Sequence, residues 1–182
     1  MSTITHKAVL LATRAHYGVN RKEGNLPYMS HCFEVMKVLF ACGVRQENTL
    51  AAAALHDTIE DALAENKSQL IIDIANLSRD VYTIVIELTH DEKETSKEKY
   101  LLSFERKSIE SYCIKIADRY CNINDWLRDK PKYASKYAMK AQCLYDAYHI
   151  RKQEIALCFG KTVEQRIGNL VTLCEQVYVS AR

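Results

Sequence analysis

The sequence predicts an all-α protein, and three observations lead to this prediction. Only 5 of the 182 residues are Gly and 2 are Pro, too few for the frequent turns of a many-stranded protein. Apolar residues, 48% of the chain, recur at helical spacing, and no segment has a convincing strand pattern. No low-complexity tract or linker divides the chain, so we expect residues 1–182 to form one domain.

The first two predicted helices are bounded by residues that favour turns. The first helix spans about residues 3–17, where apolar residues recur every three or four positions. The loop 19–26 is polar and contains Gly24. Pro27 marks the entry to the second helix, which reaches about residue 42. We expect this turn to fix where the second helix begins.

The third predicted helix, residues 46–60, is apolar at every position from 50 to 55. A helix that is apolar on all sides is typical of the centre of a domain. The later helices have one apolar face and are separated by charged or proline-containing segments; they span about 69–76, 79–90, 97–107, 109–128, 132–159 and 162–178. The last carries an apolar stripe that packs within the chain or, as the alternative, on a second subunit of a homo-oligomer.

Charge and hydropathy exclude several classes of partner. Lys and Arg total 25 and Asp and Glu total 23, so the chain lacks the basic excess typical of nucleic-acid binders. The apolar run at 50–55 is too short to span a bilayer, and the N-terminus lacks the pattern of a signal peptide. We expect a soluble, cytoplasmic protein that binds neither nucleic acid nor membranes.

The seven cysteines do not indicate disulfides or a zinc site. Their number is odd, no C-x-x-C spacing occurs, and most of them lie among apolar residues. We interpret them as small buried hydrophobic residues of a protein in a reducing compartment.

Four ionisable residues lie where a helical core requires apolar ones. His31 shares a helix face with apolar residues, His56 and Asp57 follow the apolar run of the third helix, and Asp118 lies on an apolar face further along the chain. Buried carboxylates are costly unless they are paired or bound to a metal. Two imidazoles and two carboxylates in one helical core therefore predict a site for a divalent transition-metal ion.

Each of these residues has a simpler explanation when taken alone. A single buried histidine such as His31 is more often a packing residue than a ligand, and a single Asp118 could pair with Arg119. His-Asp pairs also occur by chance, as at His90 and Asp91, which we predict to be solvated. The metal-site prediction therefore depends on the combination of the four residues.

Glu60 and Asp61 lie one helical turn beyond His56 and Asp57. On a continuous helix the four residues fall within a sector of roughly 140°. Glu60 and Asp61 would then be placed to orient or deprotonate a water molecule at the ion, although they could equally begin a solvated loop. Imidazole and carboxylate ligands suit manganese, iron or zinc better than calcium, and the two carboxylates favour Mn²⁺.

The order of these residues resembles the metal-binding signature of the HD-domain phosphohydrolases, an all-α superfamily. The surrounding words are similar to those of the RelA/SpoT homologue hydrolase domains, over about residues 5–155. These words are R-A-H-Y-G at 14–18, G-N-L-P-Y-M-S-H at 24–31, A-A-L-H-D-T-I-E-D at 53–61 and K-I-A-D-R-Y-C-N at 115–122. Residues 99–107, K-Y-L-L-S-F-E-R-K, resemble a helix of the stand-alone small alarmone hydrolases, which include the metazoan SpoT homologues.

The resemblance implies an HD-domain helical bundle around a buried metal site. It also implies a Mn²⁺-dependent enzyme that removes pyrophosphate from the 3′ position of ppGpp and pppGpp, the alarmones of the stringent response. The residues matched to metal ligands are His31, His56, Asp57 and Asp118, and those matched to water activation are Glu60 and Asp61. Too few residues remain for the synthetase domain of the bifunctional relatives.

The resemblance also implies contacts with a nucleotide. Arg14 matches an arginine that packs against the guanine base, Asn122 matches an asparagine that contacts the nucleoside, and Tyr137 is a weaker match on the ribose and phosphate side. From their positions in polar loops, four cations could neutralise phosphate or could simply be solvated; they are Arg21, Lys22, Lys97 and Lys99.

Three positions depart from the family pattern without affecting a predicted ligand. Cys32 replaces a common proline, Val19 replaces a glutamine, and Ala15 stands where some animal relatives have lysine. Two alternatives therefore stay open: the same metal chemistry on NADPH, deoxynucleotides or nucleoside monophosphates, and a non-catalytic module that binds a nucleotide.

Overall fold

The computed structural model describes residues 3–21, 25–61 and 64–179, and it confirms the all-α prediction. Within these ranges the chain forms eleven α-helices and no strand, with one isolated antiparallel bridge between Asn20 and Pro27. Gly24 lies outside the described residues. The helices are α1 (Ile4–Ala15), α2 (Met29–Cys42), α3 (Glu47–Leu55), α4 (Thr58–Asp61), α5 (Ala64–Leu77), α6 (Arg79–Leu88), α7 (Lys97–Leu102), α8 (Ile109–Asp129), α9 (Pro131–Met139), α10 (Gln142–Phe159) and α11 (Lys161–Val179).

Helices α3 and α8 form the centre of the structure. Residues 51–55 of α3 are completely buried, and this helix packs against α1, α2 and α6. Helix α8 packs against α2, α6, α9, α10 and α11 and is buried along most of residues 109–119. The apolar run of the sequence therefore occupies the position predicted for it, and its C-terminal end faces the middle of α8.

The beginnings and ends of several helices follow local signals. Serine side chains at Ser78, Ser96 and Ser108 accept hydrogen bonds from the first turns of α6, α7 and α8. Gly43 ends α2 with a φ of 104°, a left-handed conformation that favours glycine. These boundaries agree with the predicted ones to within about two residues, because capping depends on neighbouring residues only.

The prediction of one helix over residues 46–60 is wrong. Helix α3 ends at Leu55, a turn contains His56 and Asp57, and α4 begins at Thr58. Successive residues of a straight α-helix point about 100° apart. At this turn, however, the Nε2 atom of His56 and the Oδ2 atom of Asp57 are only 2.9 Å apart. The helix is interrupted where both side chains turn towards the same buried centre.

Two other predicted helices are also interrupted. The segment 132–159 divides into α9 and α10 at Lys140 and Ala141, and the segment 97–107 ends as α7 followed by a 3₁₀ turn at Ser103–Glu105. No Gly or Pro marks the break after α9. It occurs because α9 packs against α8 and α11, whereas α10 also packs against α7 and the 3₁₀ turn, so tertiary packing overrides helix propensity.

Helix α11 packs within the chain, which was the first of the two alternatives predicted for its apolar stripe. Its stripe of Val163, Ile167, Leu170 and Val171 is buried against α8, α9 and α10. Among the described residues, no helix combines the length and hydropathy needed to cross a membrane.

The cysteines agree with the interpretation of buried hydrophobic residues. All seven are free thiols, and five of them are buried. Cys143 is half-buried, and Cys158 is exposed at the end of α10.

Candidate metal centre and substrate cleft

The four predicted ligands come together in one buried cluster. His31 lies in the first turn of α2, His56 and Asp57 lie in the turn after α3, and Asp118 lies in the middle of α8. One donor atom from each residue lies within 4.8 Å of the other three. The shortest separations are 2.9 Å between His56 Nε2 and Asp57 Oδ2 and 3.1 Å between His31 Nε2 and Asp118 Oδ1. The structure therefore brings the donor atoms of the four predicted ligands together at one place.

The hydrogen bond of His56 tests whether the cluster fits a metal ion. The Nδ1 atom of His56 lies 2.9 Å from the carbonyl oxygen of Ala53, which can only accept, so Nδ1 carries the proton. In the neutral ring the Nε2 lone pair then faces the carboxylates of Asp57 and Asp118 and needs a cation between them. A metal-bound histidine commonly donates its second nitrogen to a carbonyl in this way.

The separations between the donors also fit a small divalent ion. Metal–ligand bonds of about 2.1 Å place neighbouring donors roughly 3.0–3.4 Å apart in tetrahedral or octahedral coordination. The His56–Asp57 and His31–Asp118 pairs, at 2.9 and 3.1 Å, lie near this range, and the two longer His–Asp pairs are both 3.8 Å apart. The buried cluster is thus a divalent metal site.

The charges of the cluster favour a cation. Burial opposes the protonation of His56, but Asp57 and Asp118 raise its pKa well above the usual value. Burial likewise opposes ionisation of Asp57, yet His56 beside it lowers the pKa of this carboxyl. Against the effect of burial, Lys115 and the two histidines hold the pKa of Asp118 well below its usual value. Both carboxylates are therefore ionised and attract positive charge.

Asp118 is held in place by two further side chains. The Nζ atom of Lys115 donates to Asp118 Oδ2 at 2.7 Å, and Asn122 Nδ2 donates to Asp118 Oδ1 at 2.5 Å. The Oδ1 atom of Asn122 accepts from Arg21 NH2 at 3.2 Å, which defines the orientation of the amide. Lys115 is almost completely buried, so it neutralises part of the charge of Asp118 without help from solvent.

Tyr28 and His16 form the side of the cluster that faces α1. The Tyr28 hydroxyl donates to Asp57 Oδ2 at 2.6 Å, and the Tyr28 ring stacks on His16 with 4.6 Å between the ring centroids. His16 is buried, and its Nε2 atom has no hydrogen-bond partner among the described residues. Burial lowers the pKa of His16 from 6.5 to about 4, although Asp57 partly opposes this effect.

The buried neutral His16 predicts an acid-sensitive fold. Its pKa is lower in the folded than in the unfolded chain, so unfolding takes up a proton below about pH 6.5 and the stability that depends on neutral His16 is lost as the pH falls towards 4. Between pH 7 and pH 4.5 this loss is about 2 to 3 kcal/mol. Urea unfolding in EDTA at both pH values should show that His16→Phe, which keeps the stacked ring, loses less stability than the wild type. Equal losses would contradict the role of His16.

Glu60 and Asp61 occupy the short helix α4 beside the cluster. Asp61 is an exposed residue; partial desolvation of its carboxyl and the nearby Asp57 raise its pKa, and the Tyr28 hydroxyl partly opposes this effect. The carboxylate of Glu60 turns the other way, towards the segment 89–97. Its Oε2 atom accepts from the backbone N–H of His90 at 3.1 Å, and its Oε1 atom lies 3.7 Å from Lys97 Nζ. The two acids therefore flank the metal site from different directions.

The prediction that His90 is solvated is wrong, whereas Asp91 is exposed as predicted. His90 is only 6% exposed, and its ring packs against the Tyr100 ring in a tilted arrangement. The reason is that the segment after α6 folds back over α7, which covers the His90 ring but leaves the next side chain in solvent.

A cleft of about 710 Å³ lies next to the metal site, between α7, α8 and α9. Lys97 joins it to Glu60, and Arg119 lies in it with its guanidinium 3.9 Å from the centroid of the Tyr137 ring. Lys140 adds a third cation, and Glu98 is the acidic residue among its lining side chains. The cleft thus combines positive charge with aromatic surface.

The other described residues that were predicted to contact the nucleotide do not line this cleft. Arg21 is mostly buried and pairs with Asp125 at 2.5 Å and with Glu34 at 3.7 Å. Arg14 is exposed at the end of α1, and Lys99 lines a separate cavity of about 290 Å³. Lys22 lies outside the described residues. Arg21 therefore already has two carboxylate partners in addition to its hydrogen bond with Asn122.

Residues 8–151 match a protein-family model described as HD domain. The chain belongs to the HD-domain family. A Xenopus tropicalis relative, named guanosine-3′,5′-bis(diphosphate) 3′-pyrophosphohydrolase MESH1, is 30% identical over 131 residues, which cover 69% of this chain and 71% of the relative. The cluster of two histidines and two aspartates is thus the metal site of an HD domain.

Two further comparisons concern length and fold. A GTP pyrophosphokinase of Myxococcus xanthus is 28% identical over 171 residues, covering 87% of this chain, and the chain spans only 21% of that protein. The solved structure of a metazoan SpoT orthologue that hydrolyses ppGpp has a TM-score of 0.73 and 23% identity, and the match covers 95% of this chain and 96% of that one. This likeness shows that the HD domain has the same fold.

Three residues of this HD-domain site were assigned no role from the sequence: Tyr28, Lys115 and His16. A helical spacing of three residues joins Lys115 to Asp118, and this spacing could have indicated an ion pair. Tyr28 and His16 lie in two of the words that carry the family resemblance, but no spacing predicts their contacts with Asp57 and with each other, because these contacts join different elements of the fold.

Proposed function

We propose that the chain is a divalent-metal-dependent phosphohydrolase that releases pyrophosphate from the 3′ position of ppGpp and pppGpp. The observation that carries this proposal is the cluster of two histidines and two ionised aspartates next to a cleft with three cations. The curated name of the Xenopus relative, of which this chain covers 71%, supports the choice of ppGpp among nucleotides. The proposed substrate is a small nucleotide and not a nucleic acid.

We propose Mn²⁺ as the ion, held by His31, His56, Asp57 and Asp118. A mixed set of imidazole and carboxylate ligands suits Mn²⁺, and Fe²⁺ and Zn²⁺ are the alternatives. When bound, such an ion polarises a phosphoryl oxygen and lowers the pKa of water at the site. Lys115 and Asn122 orient Asp118, and Tyr28 orients Asp57, so three neighbouring residues keep the ligand atoms in place.

Glu60 and Asp61 are the proposed proton-handling residues. The raised pKa of Asp61 suits a general base, because a base of higher pKa binds the proton of the attacking water more strongly. The water oxygen bonds to phosphorus, the bond to the 3′ oxygen breaks, and this oxygen receives a proton. One water and one ppGpp thus give GDP and pyrophosphate, and Glu60 would orient the water.

The cleft supplies the proposed nucleotide contacts. Lys97 and Arg119 line the cleft, where the Arg119 Nε atom has no hydrogen-bond partner among the described residues; both cations would neutralise phosphate, and Tyr137 would contact the ribose and phosphate side. Arg14 would pack against the base, and Asn122, although bonded to Asp118, would contact the nucleoside through its remaining capacity. Arg21 would reach phosphate only by leaving Asp125, and Lys22, the next residue in the chain, would be a further cation for phosphate.

The cytoplasm is the compartment that we propose for the reaction. Seven free cysteines, one of them exposed, are compatible with a reducing environment.

Incubation of the purified chain with ppGpp and Mn²⁺ tests the function. We expect stoichiometric GDP and pyrophosphate, loss of turnover in EDTA, and recovery when Mn²⁺ is added in excess. A parallel panel contains NADPH, deoxynucleoside triphosphates and nucleoside monophosphates. Faster turnover of one of these would overturn the alarmone assignment, and tight ppGpp binding without any product would indicate a binding module instead of an enzyme.

A further inference from the structure

The segment between α6 and α7 contains a buried histidine that the proposed mechanism does not use. The Nε2 atom of His90 lies 2.9 Å from the carbonyl oxygen of Thr95, so Nε2 carries a proton and donates it. The ring of His90 packs against the ring of Tyr100, with 4.7 Å between the centroids and 37° between the ring planes. The side chain thus joins the first part of the segment to its last part and to α7.

The backbone of the same residue holds a proposed catalytic group. The N–H of His90 donates to Glu60 Oε2 at 3.1 Å. The other oxygen of Glu60 lies 3.7 Å from Lys97, which follows the far end of the segment. The two oxygens of Glu60 are therefore approached from the two ends of a segment that the His90–Thr95 hydrogen bond closes.

We propose that His90 is a positioning residue for Glu60. Its side chain closes the segment 90–95 and thereby aims its own backbone N–H at the Glu60 carboxylate, which is then held in one orientation beside the metal site. This inference rests on the proposed function only in giving Glu60 a role in proton handling. The hydrogen-bonded arrangement itself is a property of the chain without substrate.

The Tyr100 ring supports this role by packing against the imidazole. The hydroxyl of Tyr100 donates to the carbonyl oxygen of Leu88, the last residue of α6, and Tyr100 is almost completely buried. The imidazole therefore packs on a ring that is itself anchored to the preceding helix. A side chain held on two sides loses little further freedom when it donates to Thr95, so the segment is ordered before substrate binds.

Two substitutions of His90 separate the hydrogen bond from the bulk of the ring. In His90→Gln the terminal amide nitrogen can take the place of Nε2 and donate to Thr95, whereas the shorter side chain of His90→Asn cannot reach it. We expect His90→Asn to lower kcat for ppGpp about 10- to 100-fold with KM changed less than about twofold, and His90→Gln to retain most of kcat. Equal losses in both variants, or a loss confined to KM, would overturn the proposal.

A double-mutant cycle asks whether the effect passes through Glu60. In the Glu60→Gln background, His90→Asn should reduce kcat by less than about twofold, because the group that His90 positions has already lost its function. A reduction as large as that in the wild-type background would show that His90 acts through general destabilisation, and it would overturn the proposal.

Hydrogen exchange separates this inference from the proposed function. Measured without substrate, the backbone amide hydrogen of residue 90 should exchange at least about tenfold faster in Glu60→Ala and in His90→Asn than in the wild type. Mn²⁺ affinity, measured by calorimetry, should stay within about twofold because the ligands are untouched. Unchanged protection in His90→Asn would overturn the inference even if ppGpp is hydrolysed, and a wild type without ppGpp turnover would overturn the function alone.

Discussion

Asp57→Ala is expected to abolish ppGpp hydrolysis and to remove tight metal binding. Asp57 Oδ2 lies 2.9 Å from His56 Nε2 and 3.8 Å from His31 Nε2, so it completes the cation site on one side. Loss of a ligand should weaken Mn²⁺ binding more than the roughly 10- to 100-fold typical of changes around the ligands. Several kcal/mol of lost charge stabilisation correspond to a fall in kcat/KM of about 10³-fold or more. Calorimetry and pyrophosphate release measure the two effects.

The matched control for Asp57→Ala is Asp129→Ala. Asp129 is an exposed carboxylate at the end of α8 that pairs with the exposed Arg128 at 3.5 Å, so its removal should leave both metal affinity and turnover unchanged. Retention of more than about a tenth of the wild-type, Mn²⁺-dependent rate in Asp57→Ala would contradict the ligand assignment. Thermal unfolding of both variants in EDTA shows whether each is folded.

Asp118→Ala is expected to destabilise the fold even when no metal is bound. The substitution removes the partner of Lys115, whose ammonium lies 2.7 Å from Asp118 and is almost completely buried. An uncompensated buried charge costs about 3 to 5 kcal/mol. In the wild type, burial opposes protonation of Lys115 but Asp118 raises its pKa well above the usual value, so this stabilisation disappears with the carboxylate. Urea unfolding in EDTA measures the loss.

A second substitution tests whether Lys115 causes this loss. Adding Lys115→Met to Asp118→Ala removes the stranded charge and should restore much of the stability, although metal binding stays absent. Glu154→Ala is the control for a carboxylate three residues from a buried cation, because Arg151 keeps its hydrogen bond to the carbonyl oxygen of Phe104. We expect this control to cost less than about 1 kcal/mol. Equal stability of the single and double Asp118 variants would disprove the explanation.

These predictions concern residues of two kinds, which differ in how far the sequence revealed them. Ligands such as Asp57 and Asp118 are visible in the sequence because an ionisable residue on an apolar helix face is costly and requires a partner. The residues around them are less visible. The spacing of Lys115 from Asp118 is compatible with an ordinary surface ion pair, and its burial beside Asp118 identifies it as part of the site.

The helices also have features that the sequence predicts and features that it does not. The periodicity of apolar residues located every long helix, and Ser and Gly residues marked several ends, since both signals act over one or two turns. The interruptions at His56 and at Lys140 carried no such signal. At each interruption the two flanking helices differ in some of the elements that they pack against, and helix propensity contains no information about those elements.

By itself, the sequence determined that the chain is helical, where its long helices lie, and which four residues meet at the metal site. It could do so because helix periodicity depends on nearby residues, and because a buried charged side chain must be paired with another charge or bound to a metal. The tertiary structure alone decided that Tyr28 orients Asp57, that Glu60 faces His90, and that a cationic cleft opens beside the ion. These contacts join residues about 30 positions apart, and their formation depends on how whole helices pack against one another.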